Sequence, residues 1–170
     1  MCRKLNVTII LICSLLLAMN VFTINISGKP IGATIEDLFD STLASDHSYS
    51  GLTLILIAGE SVAFGDMVYM NWADKEVKIA KADSAATVPA IGVALESKND
   101  GEVCLVLIIG YIRDDSWDFT SAEVYLSDVV AGGVLSSPPG DSGDQIQKLG
   151  FAFHADKMFF SPSIYEDEIQ

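Results

Sequence analysis

The chain has 170 residues, half of them hydrophobic, with only 19% charged, and its net charge is −13. From residue 30 onward, seven basic residues face 23 acidic ones, a balance of −16. A body this acidic repels phosphate backbones and carries no Lys/Arg cluster, which excludes nucleic-acid binding. The three cysteines, Cys2, Cys13 and Cys104, are too few and too scattered for a disulfide framework. His47 and His154 lie far apart, without the spacing of a histidine-based metal site.

Residues 1–28 form a hydrophobic leader. Twenty uncharged residues, 7–26, follow Arg3 and Lys4. That length spans a bilayer as a helix, and the preceding charges favour an N-terminus on the cytoplasmic side. The segment predicts a signal peptide, a membrane anchor in contact with lipid through residues 7–26, or a miscalled start. Residues 29–50 read as a lead-in. Thr34 followed by Asp37 predicts a short capped helix ending at Leu43, and Asp46-His47 falls in a solvated stretch with no nucleophile marked nearby.

From Gly51 the pattern changes to short runs rich in Val, Ile, Tyr and Phe, broken by Gly, Asp, Asn and Pro. That pattern predicts an all-β domain over 51–165, a small β-barrel or a two-sheet sandwich, ahead of an acidic tail at 166–170. The expected strands are 52–57, 67–71, 76–81, 90–96, 102–112, 123–127, 133–136, 145–153 and 157–160. Between the first two lies GESVAFGD. Gly59 and Gly65 are expected in turn conformations, Glu60 and Asp66 as polar neighbours, and Val62 and Phe64 pointing inward, which makes a wide, packed connection. The run VCLVLIIGYI is apolar on both faces and predicts a central strand with Cys104 as a buried small hydrophobe.

A weak internal repeat runs through these strands. MVYMN, KEVKIAKA and AIGVALES are echoed by EVYLS, GGVLSSPP and KLGFAFHAD. Tyr69 and Gly92 are 23 positions apart, Tyr125 and Gly150 are 25 apart. Gly92 and Gly150 fall at matching places, where a bulge or close backbone approach is expected. Two related β-modules closing one barrel or sandwich would produce such a pattern.

The stretches LTLILIAGESVAFGDMVYM, RDDSW (113–117), SGDQIQ (142–147) and HADKMFFSPS (154–163) resemble a domain of tailed-phage structural proteins, at the C-terminal end of head-fibre or tail-fibre chains. The same pieces are similar to small β-barrel capsid-decoration proteins. The resemblance covers roughly residues 31–165. It implies a virion surface or fibre-tip module that forms a homotrimer and contacts other virion proteins, with no cofactor and no catalysis. The leader departs from that pattern, because a virion protein assembled in the cytoplasm needs no membrane segment.

A glycosidase, a calcium site, a carrier domain and a binding module compete with it. Asp114, Asp115, Asp118 and Glu123 surround Trp117 and Phe119. A glycosidase needs two carboxylates across a sugar, and calcium needs several convergent oxygens. The D-x-D-x-D-G spacing is missing, Arg113 can pair with an adjacent acid and Trp117 can plug the end of the barrel, so a structural role is expected. Biotinyl- and lipoyl-type carrier barrels share the G-x-x-V-x-x-G-D-x-V turn and carry an exposed lysine on a hairpin, for which Lys75 in NWADKEVKI is the candidate. A membrane-tethered or secreted binding module is the remaining alternative. No catalytic, cofactor-binding or metal-ligating residue is assigned. Long aliphatic runs such as LTLILI point to self-association.

Overall fold

The computed structural model describes residues 39–163 and 167–169. The hydrophobic leader, and the start of the helix expected from Thr34, lie outside these residues. Residues 39–43 form a bend and a turn instead of the end of a helix. They are drawn onto the domain by Asp40, whose amide donates to Ser50 Oγ (2.8 Å), and by Arg113, whose guanidinium donates to the Leu43 carbonyl (3.3 Å). Among the described residues no helix is long and apolar enough to cross a membrane.

The described chain is all-β and curls as a half-barrel. Its strands are β1 (Ser48–Ile57), β2 (Met67–Asn71), β3 (Glu76–Ile79), β4 (Ala90–Ala94), β5 (Val103–Arg113), β6 (Glu123–Leu126), β7 (Val134–Leu135), β8 (Gln145–Ile146), β9 (Lys148–His154), β10 (Lys157–Phe160) and β11 (Asp167–Glu168). Nine of them form one sheet in the order β3-β2-β4-β5-β10-β9-β6-β7, with β1 on β5. The acidic C-terminal residues contribute β11, which pairs with β8.

The repeat is real at the level of register. β2 lies between β3 and β4, and β6 lies between β7 and β9. Val68 faces Gly92, Val124 faces Gly150, and each ladder shifts at the following tyrosine, Tyr69 or Tyr125. The correspondence runs one strand further than the sequence motif. Val93 faces Leu107 and Ala94 faces Val106, as Phe151 faces Phe159 and Ala152 faces Met158. The path 3-2-4-5 is therefore repeated as 7-6-9-10.

The strand expected over 145–153 is broken at Gln147. The side chain of Gln147, fully buried, does the work of a strand there. Its Oε1 accepts from the Ala90 amide (2.8 Å), and its Nε2 donates to the carbonyls of Ala90 (2.9 Å) and Ser163 (2.7 Å). One amide side chain thus joins the two modules and leaves no backbone group of Ala90 orphaned in the core.

β5 is buried on both sides, as its apolar run predicts. Cys104 and Val106 join a small cluster with Ala58, Val62, Val68, Val77 and Ala94. Leu107 and Ile112 join the main core with Met67, Val93, Val124, Leu149, Met158 and Phe160. The ladder to β1 shifts between Leu52 and Thr53, which places both Ile108 and Ile109 against a single step of β1. This bulge reverses the alternation along β5, so Leu107 and Ile112 point into the same core.

The GESVAFGD connection behaves largely as its residues predict. Val62 is buried, Phe64 packs on the main core, and Gly65 adopts φ +88°, open to glycine and strained for other residues. Asp66 Oδ2 accepts from the Ala63 amide (2.8 Å), and burial raises the carboxyl's pKa. Gly59 differs from expectation: its φ is not positive, and what favours glycine is the close strand, because a Cβ there would sit 2.9 Å from Glu76 Cβ.

A row of directly opposed residues crosses five strands: Gly51, Gly110, Phe160, Gly150 and Val124. Phe160 is fully buried and lies between two glycines that both adopt φ +149°. Neither neighbour has room for a Cβ, which would come within 2.3 Å of the Ser50 carbonyl oxygen at Gly110 and 2.0 Å of the Phe159 carbonyl oxygen at Gly150. Cross-strand partners share a face, so the two glycines leave room beside the Phe160 side chain. Phe160→Ala is expected to cost about 3–5 kcal/mol, measured by denaturant unfolding.

Candidate assembly surface

β1 carries the long aliphatic run at the open side of the sheet. Among the described residues it pairs only with β5, so its outer edge over 52–57 faces no strand. Cross-strand partners share a face. Leu52, Leu54 and Leu56 therefore lie on the face of Ile109, Val106 and Cys104, while Thr53, Ile55 and Ile57 lie on the opposite one. Both faces are partly open: Ile55 is 72% exposed, Val103 beside it 56%, and Leu54 49%. No charged residue occurs between residues 48 and 59.

The other sheet edges are treated differently. The edge of β3 is closed by residues 58–60. Ala58 bridges Val77, the Gly59 amide donates to the Val77 carbonyl (2.9 Å), and Glu60 Oε1 accepts from the Ile79 amide (2.7 Å). The edge strand β7 has only two residues. Natural sheets shield free edges with charge, proline or brevity, and β1 over 52–57 has none of these.

An aromatic strip continues the Leu52/Leu54 face. The ring centroid of Tyr111 is 4.8 Å from that of Phe159 and 5.3 Å from that of Phe153, and the Phe151 and Phe159 centroids are 5.5 Å apart. Phe39 approaches Phe159 at 6.0 Å. Phe151 and Phe159 also line an open cavity of about 240 Å³ with Lys148, Gly150, Ser161 and Ser163. The strip was not anticipated from the sequence, although the alternation in FAF at 151–153 puts two phenylalanines on one strand face.

The acids around Trp117 do not converge. Asp115 pairs with Arg113 (2.6 Å), which also holds Asp156 (3.0 Å). Glu123 lies on β6 and bonds Lys148 (2.7 Å) and the Tyr125 hydroxyl (2.7 Å); the Lys148 ammonium holds its carboxyl below the usual range. Asp114, buried, caps the Ser116 amide (2.8 Å). The Trp117 and Phe119 rings meet at a tilt, 5.3 Å between centroids, and pack against the main core.

Asp114 instead approaches Asp46 and His47, within 4.8 Å between ligand atoms. Asp46 and His47 are solvent-exposed, as the sequence predicts, and the stretch is nevertheless tied to the domain. The Asp46 carboxylate accepts the Asp115 amide (2.8 Å), which lowers its pKa, and the His47 ring lies 4.3 Å from Phe64. Asp128, Asp141 and Asp144 also bring carboxylate oxygens within 4.8 Å of one another, and Asp144 caps the Asp141 amide (3.0 Å).

Lys75 stands at the tip of the β2–β3 hairpin with φ +68°, as a carrier lysine would. Its amine is engaged, donating to the Trp72 carbonyl (2.6 Å) and lying 3.4 Å from the centroid of the exposed indole. Cys104 is fully buried, and burial pushes its thiol pKa up.

No family model matches the chain, and no curated protein or solved structure matches it. Because Trp117 packs on the core, while Asp114 and Asp115 are spent on a cap and an ion pair and Asp118 is simply exposed, Trp117→Ala is expected to cost about 2 kcal/mol, seen as a lower thermal midpoint.

Proposed function

We propose that this protein is a non-enzymatic structural module that works by assembling with copies of itself, as a virion surface or fibre-tip component. The observation that carries the reading is the β1 strip, an uncharged run of aliphatic side chains open on both faces of the sheet in an otherwise acidic domain. Contiguous exposed apolar surface of this kind marks an interface, and the charge spread over the remaining surface keeps the assembly soluble. The virion setting rests on the resemblance of 113–117, 142–147 and 154–163 to tailed-phage fibre domains. Sedimentation equilibrium of residues 30–170 tests the assembly: a stable oligomer is expected, and a monomer at micromolar concentration overturns the reading in favour of a tethered or secreted binding head.

A carrier domain is the second reading, favoured by the position of Lys75 at a hairpin tip and by the paired modules. The contact with Trp72 opposes it, because the amine is already occupied. The intact mass of the protein from its native source is expected to show Lys75 unmodified; a biotinyl- or lipoyl-sized increment on Lys75 would establish the carrier.

A further inference from the structure

We infer that two copies of this chain join edge to edge through β1, in antiparallel register about a two-fold axis, to continue one sheet across the interface. This rests on the assembly reading and specifies its contact. Three observations select a second copy as the occupant. The free edge over 52–57 needs a partner that offers backbone donors and acceptors over a similar length, and among the described residues β1 is the long edge left open. The stretch 48–59 is also uncharged, so two copies can approach there while their bodies, at −16 from residue 30 onward, repel elsewhere. The side chains are self-complementary as well. An antiparallel two-fold perpendicular to the sheet keeps like faces together. With the axis at Leu54, Leu52 stands against Leu56 of the second copy, and Thr53 against Ile55 of the second copy.

The joined face would run from one aromatic strip to the other through a row of leucines. A three-fold ring, expected from the resemblance, needs two different surfaces that fit each other, whereas an edge that pairs with itself closes after two copies. The edge therefore predicts an even number of copies.

The test uses the full-length chain in a non-ionic detergent at matched density. Molar mass is measured by sedimentation equilibrium, and amide hydrogen exchange is followed in 52–57 at low and high protein concentration. The expected result is a dimer, or another even assembly, with exchange in 52–57 slowing as concentration rises. Leu54→Lys combined with Ile55→Lys should weaken it about 100-fold or more while leaving the far-ultraviolet spectrum unchanged. Val129→Lys with Val130→Lys, a second exposed apolar pair, should leave the mass unchanged.

A trimer, or an even assembly that the β1 lysines leave intact, overturns the edge pairing and keeps the assembly reading. A monomer overturns both. If the lysine variant fails to fold, concentration-independent exchange in 52–57 of the unmodified protein overturns the edge pairing by itself.

Discussion

The architecture depends on the row Gly51–Gly110–Phe160–Gly150–Val124. A flat sheet of this width would leave one face of β5 and β10 wet. Placing an aromatic side chain between two glycines leaves room beside it on the same face, and in the curled sheet it is fully buried. The two four-strand paths meet on one core because β10 and β4 share an edge of β5 that β1 leaves free. β1 holds the other edge from Ser48 to Ile57, while β4 meets β5 at 106–107 and β10 meets it at 110–113.

The two modules are joined by the β5–β10 ladder, by backbone bonds such as Ala82 to Ser127 and Gly132 to Ala80, and by one buried side chain. From one buried side chain Gln147 supplies two hydrogen bonds across the junction, both to Ala90, and a third to Ser163 within its own module. Such an amide is costly to bury without partners and stabilising with them, so it specifies the junction as well as supporting it. Apolar burial around Met67, Leu107, Leu149 and Phe160 provides most of the driving force, since it is roughly proportional to the area withdrawn from water. Polar surface chemistry is local: acids cap turns or pair with nearby bases, as Asp114, Asp115 and Glu123 do. This accounts for a cluster that looks chemical in the sequence and is dispersed in space.

The contrast between the sheet edges connects the fold to the proposed assembly. Glu60 reaches the amide of Ile79 and residues 58–60 close the side of β3, whereas among the described residues nothing comparable shields 52–57. An aliphatic edge left open in a folded domain draws other chains to it. Evolution removes such an edge or gives it a partner, and the uncharged self-complementary sequence of β1 suits a partner of the same kind.

Local signals in the sequence determined the strand positions. β-branched and aromatic runs bounded by Gly, Asp, Asn and Pro located β2 and β10 to the residue, and β1, β3, β4, β5, β6 and β7 with only their ends displaced. The repeat was legible because Val68/Gly92 and Val124/Gly150 carry the same register demand. The self-associating character of LTLILI was also legible, since its side chains have no polar face to turn toward water. Tertiary structure decided what alternation and propensity do not encode. Gln147 interrupts a strand because its partner, Ala90, is 57 positions away. The bulge at Ile108–Ile109 changes which side of β5 is core, and this exchange depends on the pairing with β1. The acids at 113–123 separate because consecutive residues leave the strand end in different directions, and the aromatic strip forms because β5, β10 and β9 become neighbours. Sequence patterns report the backbone within a few residues; sites are made by chain segments whose meeting is settled only when the whole sheet closes.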